Sequence, residues 1–100
     1  MQLLTDELRK QLPVIGASEK QADPIAVCKF FTPDGSWTWF PLEFDGKDLF
    51  FGAVSGDAFE LGYFALRELE ETTGHLGLHI ERDLYFEPTP LSKIRKQYDR

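Results

Sequence analysis

Cysteine is almost absent. Cys28 stands alone among 100 residues, so no internal disulfide forms and zinc sites built from several cysteines are excluded. No run of about 18 apolar residues occurs, and the opening Met1-Gln2-Leu3-Leu4-Thr5-Asp6 lacks the basic-then-apolar order of a secretory leader. A cytoplasmic protein with no membrane association is the expectation. Basic residues are scarce as well: 11 Lys and Arg against 17 Asp and Glu leave a net charge of -6, a field that repels phosphate backbones. Nucleic acid is therefore not an expected partner, whereas a basic protein is attracted. The one basic concentration is Lys93, Arg95, Lys96 and Arg100 at the C-terminus.

Aromatic residues, by contrast, are abundant at 14%, and a core resting on Phe, Trp and Tyr suffices to fold one domain over residues 1–100. Thr5 is placed to cap a short helix with Asp6 and Glu7 in its first turn, Pro13 to end it, and Leu4, Leu8 and Leu12 to form its apolar stripe. β-Branched and aromatic content predicts a strand over Ile25 to Thr32, closed by the turn Pro33-Asp34-Gly35. In the next strand Thr38, Phe40, Leu42 and Phe44 alternate with Trp37, Trp39, Pro41, Glu43 and Asp45, the first set being the better core face. Pro41 lacks an N–H and marks a possible bulge that would reset the alternation. Asp45-Gly46-Lys47-Asp48 then turns the chain into a strand from Leu49 to Val54, and Glu60 to Ala65 gives a fourth.

A short helix over Leu66 to Thr72, closed by Gly74, follows. A C-terminal helix is capped by Thr89, with Pro90 in its first position and Leu91, Ile94, Arg95 and Tyr98 on one side. The segment 77–88 is ambiguous, Leu84-Tyr85-Phe86 offering at most a short strand. The fold class is thus α+β: an antiparallel sheet of about four strands with short flanking helices at the N-terminus, middle and C-terminus.

No constellation of catalytic side chains is readable. His75 and His79 with Glu81 and Asp83 have ligand chemistry, but Gly74 and Gly77 argue against the helix that would bring both imidazoles to one face, so no metal or cofactor is expected. Gly74-His75-Leu76-Gly77 matches no phosphate-binding fingerprint. Cys28, inside a predicted strand, reads as a small core residue rather than a nucleophile.

The runs Lys29-Phe-Phe-Thr-Pro-Asp-Gly-Ser-Trp-Thr-Trp-Phe40, Glu43-Phe-Asp-Gly46, Asp48-Leu-Phe-Phe-Gly52, Glu60-Leu-Gly-Tyr-Phe64 and Glu81-Arg-Asp-Leu-Tyr-Phe-Glu87 together resemble the domain-of-unknown-function 2958 family. Leu3-Leu4-Thr5 and Leu91-Ser92 extend the resemblance to nearly the whole chain. It implies no reaction; it implies a short bacterial protein from a plasmid- or phage-related setting. The chain departs from the family pattern at His75 and His79, where proline is frequent, and at Ala65 and Arg67, where a hydroxyl residue often opens the middle helix.

Two functions fit these residues. In the first, the chain is an acidic protein-binding module of a mobile genetic element, using Trp37 and Trp39 with an acidic rim of Glu43 and Asp45, or the Glu81-Arg82-Asp83 segment. The tryptophans either stand exposed for that purpose or lie under a helix as a second core. In the alternative, a small enzyme or nucleotide-binding protein forms a site from Glu43, Asp45, Tyr63, Arg82 and Asp83.

Overall fold

The computed structural model describes residues 1–99, leaving Arg100 outside. Helix α1 spans Asp6–Gln11; Thr5 Oγ1 accepts the Leu8 N–H at 3.2 Å, and Leu12, in extended conformation before Pro13, ends it. A 3₁₀ turn, Ala17–Lys20, follows. The strands are β1 (Ile25–Ala26), β2 (Phe30–Phe31), β3 (Thr38–Phe44), β4 (Leu49–Ser55), β5 (Phe59–Ala65), β6 (Glu81–Arg82) and β7 (Thr89–Pro90); α2 (Leu66–Glu71) follows β5 and α3 (Leu91–Tyr98) closes the order. Five strands form one antiparallel sheet in the order β5-β4-β3-β2-β6, and β1 pairs with β7 apart from it.

The α+β architecture with three short helices is as the sequence predicts, but the first strand is not continuous. Ile25–Ala26 and Phe30–Phe31 join different sheets. The first ladder stops early because Ile25 pairs with Pro90, which has no N–H to extend it. The ambiguous segment contributes a strand at Glu81–Arg82, one turn earlier than Leu84-Tyr85-Phe86.

The bulge foreshadowed by Pro41 falls at Leu42: Pro41 pairs with Gly52 and Glu43 with Phe51, leaving Leu42 as the extra residue. The backbone closes so tightly there that a Cβ on Gly52 would sit 2.1 Å from the Phe40 carbonyl oxygen. The bulge also corrects the expected face. Phe40 and Leu42 lie opposite Trp39, as alternation requires, but Phe44 crosses to the Trp39 side and packs with Phe50 at 4.7 Å between ring centroids.

Both faces of the sheet are therefore apolar. The larger core joins Leu3, Leu4, Leu12, Phe30, Trp39, Phe44, Phe50, Phe64, Leu66, Leu69 and Ile80, with Leu8 packed against it, so the α1 stripe and α2 cover this side. The smaller core joins Ala26, Phe40, Leu42, Ala53 and Ile94, with Leu91 and Tyr98 of α3 laid over it. Burial of these rings supplies the main stabilisation, at about 25 cal/mol for each Å² removed from water. Among the described residues no helix is long and apolar enough to cross a membrane.

The helix starts differ from expectation in an informative way. Thr89 does not cap α3; its hydroxyl donates to the Glu87 carbonyl at 2.7 Å. Asp23 caps instead, Oδ1 accepting the Ser92 N–H at 2.9 Å and Oδ2 the Ser92 hydroxyl at 2.6 Å. At α2 the residue before the helix, Ala65, has no capping side chain, and Asp48 substitutes: Oδ1 accepts the Arg67 N–H at 2.8 Å and its carbonyl the Leu66 N–H at 2.8 Å.

Candidate functional site

Trp37 and Trp39 are two residues apart in extended backbone, so both indoles project to one side and stack, with centroids 6.1 Å apart and planes at 28°. They differ in depth. Trp39 is 9% exposed and belongs to the larger core, whereas Trp37 is 42% exposed and lies on top of it. The buried-or-exposed alternative thus divides between them. Trp37 also rests on Gly56, where an added Cβ would meet its ring at 2.4 Å. With Trp39 beneath and Gly56 beside it, the exposed indole is packed on two sides.

Beside this stack runs a cleft of about 300 Å³, lined by the two tryptophans together with Thr32, Thr72, Thr73 and His75. Its far wall, the 74–78 loop, hangs on one carboxylate. Asp34 Oδ2 accepts the Leu76 N–H at 2.7 Å and the Leu78 N–H at 3.3 Å. Gly74 makes room for that carboxylate: a Cβ there would stand 1.6 Å from Asp34 Oδ1. Gly74 is thus a packing glycine rather than the cap of α2, which already ends at Glu71. Burial alone raises the Asp34 carboxyl, but the N–H groups of Leu76 and Leu78 and the nearby His75 hold it below its ordinary value.

The expected acidic rim is not beside the tryptophans. The bulge sends Glu43 to the other face, where it is 2% exposed. Oε1 accepts the Gly16 N–H at 2.8 Å, Oε2 accepts the Ser18 N–H at 2.8 Å, and the Ser18 hydroxyl donates to Oε2 as well. Burial pushes this carboxyl up, and those three donors outweigh it to leave it below its ordinary value. Asp45 is likewise occupied. Its Oδ1 accepts the Lys47, Asp48 and Leu49 N–H groups at 2.8, 2.8 and 3.0 Å, which lowers its carboxyl and closes the β3–β4 turn around Gly46, φ 88°.

The 81–83 segment is mostly structural. The Arg82 guanidinium donates to the Gln2 carbonyl and, at 2.8 Å, to the Leu3 carbonyl, pinning the N-terminal segment to β6. Asp83 faces Lys29 at 3.8 Å and accepts the Tyr85 N–H at 2.9 Å. Glu81 remains exposed. The set Glu43, Asp45, Tyr63, Arg82 and Asp83 does not converge, because Tyr63 stands on β5 and Arg82 on β6, at opposite edges of the sheet. Among the described residues no three His, Cys, Asp or Glu side chains are grouped to hold a metal ion. Cys28 is buried, and burial pushes its thiol up to about 12 against the lowering pull of Arg82.

Reading the sequence alone misses the carboxylates that act at a distance, namely Asp23, Asp34 and Asp48. Their position next to Pro24, Gly35 and a turn is a local signal of non-helical backbone. The segment each one grips lies far along the chain and carries no matching signal.

Taken together, the fold and this site define a small α+β protein with an exposed tryptophan beside a cleft and with several carboxylates engaged in holding the backbone. Residues 3–98 match the family described as "Protein of unknown function (DUF2958)", and the chain belongs to that family. No curated protein and no solved structure matches it.

Proposed function

We propose that this chain is a cytoplasmic, acidic protein-binding module that serves a mobile genetic element, and that Trp37 is its anchor. The observation that carries the reading is the Trp37–Trp39 stack: a large indole, 42% exposed, sits rigidly on a core tryptophan at the mouth of an apolar cleft. Anchors of protein interfaces are enriched in tryptophan because a rigid ring gives large contact area at small entropic cost. The partner inserts an apolar side chain beside the two indoles. A net charge of -6 favours a partner with a basic rim. The mobile-element setting rests on the family resemblance.

The test immobilises the wild-type chain and the Trp37→Ala variant, passes native host lysate over both and identifies retained proteins by mass spectrometry. A protein held by the wild type and lost from a folded Trp37→Ala chain supports the reading. Identical retained sets from the two chains contradict it.

A further inference from the structure

The two edges of the five-stranded sheet are unlike. β6 is two residues long, and the N-terminal segment lies against it through Arg82. β5 is seven residues long, ends the sheet on the other side and pairs with no further strand among the described residues. It carries no Pro, no Lys and no bulge, and its one charged side chain is Glu60. In an antiparallel ladder only alternate pairs exchange hydrogen bonds. The bonds Leu66 N–H to Asp48 O (2.8 Å) and Gly56 N–H to Ala58 O (3.1 Å) bracket the β4–β5 ladder and set its phase. Glu60, Gly62 and Phe64 therefore bond inward to β4. Phe59, Leu61, Tyr63 and Ala65 turn their N–H and C=O groups outward. The same outward set shares a sheet face with exposed side chains, Leu61 at 43% and Tyr63 at 61%, and Tyr63 stacks on Phe51 at 5.0 Å.

We propose that β5 is the seam of a symmetric dimer, pairing antiparallel with β5 of a second copy of this chain. Full overlap of Phe59–Ala65 puts the two-fold axis at its middle residue, Gly62, where no atom lies within 4 Å of the Cβ position. In that register Leu61 bonds to the second copy's Tyr63 and Phe59 to its Ala65, so every outward backbone group meets its complement. Leu61 and Tyr63 become cross-strand neighbours twice, joining the Phe51–Tyr63 stacks of both copies into one apolar strip. In this register Glu60 faces Phe64 rather than another carboxylate. A second copy fits because the edge matches itself about its own centre. With -6 on each chain, added salt screens the long-range repulsion and tightens the pair.

Sedimentation velocity over a concentration series, with amide hydrogen exchange on the same samples, tests this. Expected are a dimer mass that dissociates on dilution, and Leu61 and Tyr63 amides that slow as concentration rises while the Gly62 and Phe64 amides stay slow throughout. Leu61→Lys with Tyr63→Lys should give the monomer mass. A monomer at every soluble concentration, or a dimer that this double variant leaves intact, overturns the proposal. If the double variant fails to fold, the wild-type exchange decides: Leu61 and Tyr63 amides that stay fast in a dimer also overturn it.

Discussion

Between Thr38 and Ala65 the chain is held by ladder pairs and facing rings, whereas outside that span the 16–18 turn, the 74–78 loop and the starts of α2 and α3 each hang on a carboxylate. Removing one ring from the meander opens a cavity in a shared core. Removing one carboxylate frees a particular segment. The difference shows where part of the acidic composition is used: Asp23, Asp34, Glu43 and Asp45 accept hydrogen bonds from backbone N–H groups, and each has its carboxyl lowered. Other carboxylates, such as Glu60 and Glu81, stay exposed, and large apolar side chains are exposed with them: Trp37 at one end of the sheet, Leu61 and Tyr63 along one edge, Leu84 and Tyr85 after β6.

Substitutions on the two sides of this divide should separate by size. Trp39→Ala, in the larger core, is expected to cost about 3–5 kcal/mol in denaturant melts. A loss below about 1 kcal/mol would mean that the stack is not seated in the core. Glu43→Ala leaves buried donors at Gly16 and Ser18 unpaired and should cost about 3 kcal/mol. Its hydrogen-exchange signature should be early opening of residues 16–20 with the meander still protected. Trp37→Ala should cost about 1.5 kcal/mol, the stacking contribution alone, while removing partner binding. Asp48→Ala should cost about 1 kcal/mol and fray α2 without opening β4. If Asp48→Ala matched Trp39→Ala, the division between meander and periphery would fail.

The meander was the legible part of the sequence because strand alternation, turn residues and caps such as Thr5 are signals carried within a few residues. β4, β5, α2 and the Asp45 turn fall where those signals put them, to within two residues. The bulge was half legible. Pro41 flagged it, but the displaced residue is Leu42, and that one-residue difference moves Phe44 and Glu43 to opposite faces. The candidate site was legible as a pair of tryptophans and not as an arrangement. Whether an indole two residues upstream stays in solvent depends on Gly56, the 74–78 loop and Asp34, which the chain brings together from three separate places. Remote caps are illegible for the same reason: Ala65 looks uncapped, and Thr89 looks like the cap of α3, until Asp48 and Asp23 arrive from elsewhere.

The account rests most heavily on the ordered carboxylates being structural, and Glu43 is the sharpest instance. Its folded carboxyl lies below the ordinary value of 4.5, so its stabilisation is fully present above that pH and is lost as pH falls through the lowered folded value. The decisive measurement is the unfolding free energy of the wild type and of Glu43→Gln, taken from neutral pH downward. The wild type should be the more stable at neutral pH, by about 2 kcal/mol, with the gap shrinking as pH drops below 4.5. A gap that stays constant across that range, or no gap at neutral pH, would contradict the claim that this carboxylate holds the fold.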